Sequence, residues 1–136
     1  EFTARAVFRM AHIIARHHGG MRAMGSYCDD TPMCPSDDES TGSKAMTVEE
    51  VEGFIEDCIA AAVRAKNAGF DGVQLHGAHG YLLAQFLSPT LNRRDDAYGG
   101  SPEKRAKVLY EIIDGVNSKD IACFINGHSK VAKSFL

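Results

Sequence analysis

Two histidines and a tyrosine lie close together in the stretch DGVQLHGAHGYLLAQFLSP, directly after a short apolar run. His76 and His79 are three residues apart, and Tyr81 follows two residues later. In an extended chain, residues three apart point to opposite faces, whereas a turn or helix brings them to roughly 5–6 Å on one side. The chemistry of this stretch therefore depends on whether the chain turns here.

The glycines of the same stretch favour a turn. Gly77 and Gly80 flank the histidine region, and glycine adopts the backbone conformations that tight turns need. In a turn, His76 and His79 could both donate to one ligand oxygen, and donors aimed at an oxygen that gains charge stabilise a transition state by about 2.7–4 kcal/mol each. The pattern indicates an oxyanion clamp, and the hydroxyl of Tyr81 could serve as a general acid toward a carbanion-like centre.

Other interpretations stay open on spacing alone. The histidines could be structural or merely solvated, and Tyr81 could be a packing aromatic with a satisfied hydroxyl. A metal site would need a third ligand, which Asp95 or Asp96 could supply, but the sequence contains no known zinc spacing. We therefore predict no metal, and keep a small metal-binding protein as a weaker alternative.

Hydrophobic periodicity predicts the elements that position this stretch. Residues 48–68 have the spacing of a helix, and Thr47 with Glu50 forms a capping box in front of it. Residues 70–76 alternate like a strand that ends at His76. The further predictions are a short helix at 82–87, a helix that starts at Ser101 and Pro102, and a buried strand at 121–125.

The first third of the chain predicts one helix and one long loop. Residues 3–18 have an apolar face, with Thr3 as a candidate N-cap and glycines at the end. Residues 25–44 are rich in Ser, Asp, Gly and Pro, which is typical of a loop. The alternation of helices and strands predicts an α/β fold with a parallel sheet, whose ligand sites gather at the carboxyl ends of the strands.

Composition limits the classes of function. The chain has 136 residues, a formal net charge of −3 and a pI near 6.1, which gives no electrostatic footprint for nucleic acid or an anionic membrane. No apolar run reaches the roughly 18 residues that span a bilayer, and the first residues lack a signal peptide pattern, so we expect a cytoplasmic protein. The four cysteines form no CxxC pair and are interpreted as free thiols.

A long stretch of the chain carries a family pattern. It contains AGFDGVQLHGAHGYLLAQFLSP and then, in the same order and spacing as in the family, Asn92, Arg94, Asp96, Tyr98, Gly99, Gly100, Ser101 and Arg105. Residues 46–113 thereby resemble the old yellow enzyme family, the FMN-dependent NAD(P)H:flavin oxidoreductases and ene-reductases.

The resemblance implies a (β/α)₈ TIM barrel that holds FMN at its carboxyl-terminal mouth, with residues 70–76 as the fourth strand and the third strand near 23–30. NAD(P)H would reduce FMN, and reduced FMN would pass hydride to the β-carbon of an α,β-unsaturated carbonyl compound. His76 and His79 would hold the substrate carbonyl oxygen, His76 would also contact the cofactor, and Tyr81 would protonate the α-carbon. The segment with Asn92, Arg94, Asp96 and Tyr98 would brace the loop over the barrel mouth.

Length sets the expected organisation. A complete barrel needs about 250 residues, so we expect residues 1–136 to form one partial TIM-barrel domain, a fragment centred on the strand-4 region. Within it, 46–113 match the family, 25–45 form the long loop and 114–136 a divergent tail. The expected partners are a small-molecule enone and another chain that completes the barrel. The alternative is a truncated, non-catalytic remnant that folds locally or binds a partner.

Overall fold

The structure, a computed structural model, describes residues 7–9 and 33–127. The elements in this part of the chain are numbered in chain order. The strands are β1 (Val7–Arg9), β2 (Met33–Cys34), β3 (Lys44–Ala45), β4 (Gly72–Gly77) and β5 (Ala122–Gly127). The helices are α1 (Val48–Asn67), α2 (Leu82–Leu87) and α3 (Pro102–Asn117).

The main sheet has three parallel strands in the order β1-β4-β5. In its register Phe8 is level with Val73, and Leu75 is level with Ile125. Parallel neighbours need crossover connections, and the chain between β4 and β5 contains α2 and α3. The described strands thus form part of an α/β layer structure and not a closed barrel.

The two sides of β4 have different surroundings. Val73 and Leu75 are fully buried in a core that they share with α1 and α3. Gln74 and His76 alternate with them and are half-buried on the opposite side of the strand. The strand therefore directs His76 away from the helices.

Most of the predicted elements are confirmed. At the start of α1, the Thr47 side chain accepts from the Glu50 N–H, and the Glu50 carboxylate accepts from the Thr47 N–H, so the capping box is present. Ser101 is the N-cap of α3 and Pro102 is its first residue. The strand before His76, the short helix at 82–87 and the strand that begins near residue 121 are also observed, with ends shifted by one or two residues.

The predicted helix at 3–18 is wrong at its centre, because Val7–Arg9 is a strand that pairs with β4. Pairing with a distant strand overrides the helical spacing of the local sequence. In the barrel order implied by the resemblance, the neighbour of the fourth strand is the third, so β1 occupies the place that we expected near residues 23–30. Residues 23–30 themselves, and the rest of 3–18, lie outside the described residues.

The predicted long loop has local structure where it is described. Within residues 33–45, β2 pairs with β3, and Asp38 organises the turn between them. Its carboxylate accepts from the N–H and the hydroxyl of Ser40. In residues 7–9 and 33–127, no helix is long and apolar enough to cross a membrane.

Candidate functional site

The chain turns sharply after β4. His79 and Gly80 have φ angles of 59° and 74°, in the left-handed region. The Tyr81 N–H donates to the Ala78 carbonyl oxygen at 3.3 Å, and α2 begins at the next residue. A left-handed histidine is uncommon, although histidine tolerates this region better than most residues. The predicted turn is therefore present.

The turn brings the three rings together. Nδ1 of His79 lies 3.3 Å from Nε2 of His76, and the two ring centroids are 5.1 Å apart. The ring of Tyr81 also lies against that of His76, with a centroid distance of 4.9 Å. His79 is exposed, whereas His76 and Tyr81 are half-buried, so a molecule from solvent can reach the group.

The contact between the imidazoles has a chemical consequence. A hydrogen bond between two ring nitrogens needs one N–H donor and one bare nitrogen. An oxygen that accepts from both rings needs an N–H on each facing nitrogen. Binding such an oxygen therefore requires one ring to change its tautomer or to take up a proton.

The segment from Asn92 to Tyr98, which we call the brace, is held by hydrogen bonds to backbone groups. The Asn92 amide nitrogen is buried and donates to the carbonyl oxygens of Phe86 and Tyr98, at 2.7 and 2.8 Å. The Gly99 backbone lies so close to Arg94 that a Cβ on Gly99 would be 2.3 Å from the Arg94 Cβ. These contacts fix the path of the chain between α2 and α3.

Arg94 ties the brace to the front of α1. Its guanidinium donates to the carbonyl oxygens of Pro35 and Met46 and, through Nε, to both carboxylate oxygens of Asp96 at 3.0–3.1 Å. These hydrogen bonds hold the pKa of Asp96 below its usual range. These contacts of Arg94 are structural, and the support of a loop over the barrel mouth, which the resemblance implies, stays a prediction.

Tyr98 connects the brace to α3. Its hydroxyl donates to Glu111 Oε2 at 3.0 Å, and the Lys107 ammonium lies 4.4 Å from the ring centroid. Burial, together with the hydrogen bond to Glu111, raises the pKa of Tyr98 to about 12. The phenol therefore stays protonated and serves packing.

Asp96 does not supply the third ligand that a metal site at His76 and His79 would need. The Asp96 carboxylate is engaged by Arg94, which leaves it paired with a guanidinium and not with the histidines. Among residues 7–9 and 33–127, no group of three or more His, Cys, Asp or Glu side chains could hold a metal ion.

The described residues fit the ring part of FMN better than its phosphate. Phe124 of β5 is level with Gln74, on the side of the sheet that carries His76, and is 43% exposed, so its ring is open to contact with another aromatic ring. The guanidinium groups of two arginines already donate to backbone carbonyl oxygens. Arg93 donates to the carbonyl oxygens of Thr90 and Asp37, and Arg105 donates to those of Leu87 and Gly100.

Sequence reasoning missed Gln85, which contacts the turn from α2. Its side-chain amide donates to the Gly80 carbonyl oxygen at 2.8 Å. The available signal was its position, since Gln85 is the single polar residue of the otherwise apolar helix LLAQFL and lies four residues after Tyr81.

Comparisons with known proteins agree on one family. A model of the NADH:flavin oxidoreductase / NADH oxidase family matches residues 11–124. An NADPH dehydrogenase from Bacillus pumilus is 48% identical over 83 residues, which are 61% of this chain and 25% of that protein. An NADH oxidase from Thermoanaerobacter brockii is 45% identical over 102 residues, which are 71% of this chain and 16% of that protein.

Solved structures give the same result. Morphinone reductase superposes with a TM-score of 0.64 at 32% identity, over 72% of this chain and 32% of that one. A histamine dehydrogenase from a Rhizobium species superposes with a TM-score of 0.69 at 27% identity, over 79% of this chain and 18% of that one. The fold of the chain is thus part of a TIM barrel. The chain spans between about a sixth and a third of the length of these proteins.

Proposed function

Because the chain belongs to the NADH:flavin oxidoreductase / NADH oxidase family, the old yellow enzyme family, we propose that it carries the substrate clamp and proton donor of an ene-reductase. Members of this family use FMN, with NADH or NADPH as the reductant. The proposed reaction reduces the C=C bond of an α,β-unsaturated carbonyl compound. The observation that supports it most is the meeting of His76, His79 and Tyr81 at the carboxyl end of β4.

The two histidines would bind the carbonyl oxygen of the substrate. Their facing nitrogens are 3.3 Å apart, so an oxygen that approaches both can replace the bond between the rings. As the C=C bond accepts hydride, negative charge moves to this oxygen, and each N–H donor stabilises the charge by about 2.7–4 kcal/mol. Both rings must then donate, so one of them changes its tautomer or takes up a proton when the oxygen binds.

Tyr81 would complete the reaction as a general acid. Its ring lies against that of His76, which puts the phenol next to the group that would clamp the carbonyl oxygen. The enolate needs a proton at the α-carbon, and a phenol can deliver one. Tyr81 is half-buried, so solvent can return the proton after each turnover.

The cofactor would lie against the side of the sheet that carries His76 and Phe124. When bound, FMN supplies the hydride, which it has taken from NAD(P)H. His76 would also lie close to the flavin ring. We place the FMN phosphate on residues other than Arg93 and Arg105, because the guanidinium groups of both arginines are engaged elsewhere.

A working barrel needs more βα units than the three described parallel strands supply. We propose that the chain is one partial TIM-barrel domain, with 46–113 as its family part, and that the missing units come from adjoining sequence or from another chain.

The second candidate function is a non-catalytic remnant that binds a partner. One observation favours it, since Phe124 and Ile125 of β5 are 43% and 42% exposed.

Flavin binding tests the proposal directly. The chain is mixed with FMN, passed through a desalting column and examined for the visible absorbance of bound flavin. If this chain holds FMN without the missing βα units, flavin is retained, and 4-hydroxybenzaldehyde, a phenol that mimics the charged oxygen, should perturb its spectrum. A chain that retains no flavin would refute catalysis by this polypeptide alone.

Substitutions separate the roles of the three side chains. His76→Ala should weaken the phenol affinity by roughly tenfold or more, because one charge-assisted hydrogen bond is lost. Tyr81→Phe should leave phenol binding within about twofold but slow turnover of an enone by about 10²-fold, the lower end for a lost general acid. Tyr110→Phe, at an exposed tyrosine of α3, is the matched control and should change neither.

A further inference from the structure

Gln85 lies next to the turn that holds the clamp and makes two backbone contacts there. Its side-chain Nε2 donates to the Gly80 carbonyl oxygen at 2.8 Å, and its backbone N–H donates to the Tyr81 carbonyl oxygen at 2.9 Å. These two carbonyl groups belong to the peptide units before and after the Tyr81 Cα. One residue therefore fixes both peptide planes that determine where the Tyr81 side chain points.

The turn needs such support because its backbone is unfavourable. His79 has a φ of 59°, and a left-handed conformation is unfavourable for a residue with a Cβ. Conformations of this kind persist only where the surroundings hold them. Gly80, the next residue, is also left-handed, with a φ of 74°, and its carbonyl accepts the hydrogen bond from Gln85, which therefore acts where the left-handed part of the turn ends.

The orientation in which Gln85 Nε2 donates to Gly80 leaves the other polar atom of the side chain, Oε1, without a partner among the described residues. This oxygen is buried. A buried acceptor without a partner is destabilising. Rotating the amide by 180° would place Oε1 against the Gly80 carbonyl oxygen, which is repulsive. The contact with the turn thus decides the orientation of the amide.

We propose that Gln85 is a positioning residue for the clamp: its amide N–H holds the Gly80 carbonyl and so keeps His79 and Tyr81 beside His76. The inference rests on the proposed function only in so far as the clamp binds a ligand. Gln85 touches neither substrate nor cofactor in this role, and acts through the backbone of the turn.

Two variants remove the amide donor in different ways. Gln85→Met keeps the length of the side chain and removes both polar atoms, and a cavity of about 420 Å³ beside Gln85 gives the new side chain room. Gln85→Glu keeps the shape, and its carboxyl group can donate to the Gly80 carbonyl only while it is protonated.

The first measurement needs neither flavin nor ligand. In the full chain, NMR cross-peaks between the His76 and His79 rings and between the His76 and Tyr81 rings report the turn. We expect Gln85→Met to lose these cross-peaks with a melting temperature close to that of the parent, because the hydrogen bond to Gly80 and the unpartnered acceptor are lost together. Cross-peaks that persist at the parent intensity would overturn the proposal.

The second measurement is a pH series on Gln85→Glu. We expect the ring cross-peaks to return as the pH falls through the pKa of the new carboxyl group, relative to the parent chain at the same pH. A purely structural role for residue 85 would give no such recovery, and its absence would overturn the proposal. If Gln85→Met fails to fold, this series decides the question.

The third measurement separates this inference from the proposed function. The phenol 4-hydroxybenzaldehyde should bind Gln85→Met roughly tenfold more weakly than the parent, the equivalent of one hydrogen bond. If the parent binds no phenol, the proposed function fails, while the cross-peaks still test the position of the turn. An equal affinity in parent and variant would count against Gln85.

Discussion

At the scale of single residues, the brace depends strongly on Arg94. Its guanidinium side chain is 8% exposed and donates to Asp96 and to the carbonyl oxygens of Pro35 and Met46. Only the planar fork of arginine can reach these acceptors together. The position of the brace therefore depends on one buried cation.

Arg94→Lys tests this dependence. An ammonium group cannot replace the fork, and acceptors buried around Arg94 would lose their donors, so we expect the free energy of unfolding to fall by about 2–3 kcal/mol. Urea unfolding measures the change. Arg64→Lys, at a position of α1 away from the brace, is the matched control and should stay within about 0.5 kcal/mol of the parent. Equal effects of the two substitutions would contradict the role of the brace.

Asp96 should make the brace sensitive to acid. Hydrogen bonds from Arg94 lower the pKa of Asp96 below 3.8, so the folded state favours the carboxylate. Its contribution to stability is fully present above pH 3.8 and is lost as the pH falls through the lowered pKa. We expect the melting temperature of the parent to fall more steeply in acid than that of Asp96→Asn. Parallel pH profiles would show that Asp96 does not take part.

The proximity of three side chains in the candidate site was predictable from the sequence, and the contact of a fourth was not. His76, His79 and Tyr81 stand out because their types and spacing suit a turn after a strand, and the structure brings them together. Gln85 does not stand out, since a lone polar residue on a short helix has many uses. Its contact with Gly80 depends on the exact course of the turn, which spacing does not specify.

At the scale of elements, α1 and α3 approach each other closely at one glycine. A Cβ on Gly115 would lie 2.2 Å from Ile59 Cδ1, across the contact between the helices. A Cβ on Gly53, on the exposed side of α1, would meet nothing within 4 Å. The two glycines thus have the same backbone setting and opposite surroundings.

Replacing each glycine by alanine should therefore have opposite effects. Gly53→Ala should raise the free energy of unfolding by about 0.5–1 kcal/mol through helix propensity alone. Gly115→Ala should lower the free energy of unfolding by about 1 kcal/mol, because overpacking costs about 1–3 kcal/mol, which is more than the gain in helix propensity. Thermal unfolding of both variants measures the difference. Adding Ile59→Ala to Gly115→Ala should remove the clash, and a double variant without coupling would contradict this account.

Elements with strong local signals were predictable, and the strand with a remote partner was not. The capping box and the Ser101–Pro102 start identify α1 and α3 before any contact is known. The short strand β1 is defined by its pairing with β4, more than sixty residues later in the chain. Local periodicity contains no information about that partner.

At the scale of the whole molecule, β5 is the last described strand of the sheet on its side. Its Phe124 and Ile125 are exposed, and strand edges with apolar side chains tend to pair with other chains. The same edge would receive the next strand of a completed barrel. The state of the chain in solution therefore reports whether this edge has found a partner.

Ile125→Lys tests the exposed edge. We expect the parent chain to self-associate with rising concentration and the variant to do so less, because a lysine on an edge strand opposes pairing. Sedimentation velocity measures the association. Tyr110→Lys, at an exposed aromatic side chain on α3, is the control and should behave like the parent. A parent chain that stays monomeric at all concentrations would contradict pairing through the edge of β5.

The left-handed backbone at His79 also limits which sequences can carry the clamp. Besides glycine, the residues that adopt this region most readily are asparagine, aspartate and histidine. Of these, asparagine and histidine alone have a side chain that can donate to an anionic oxygen. Selection of a library at position 79 for phenol binding should return asparagine as the working replacement, while glutamine, serine and arginine fail although they can donate. The φ angle of residue 79 restricts which residue types the position accepts, and the ability of the side chain to donate a hydrogen bond then selects among those few.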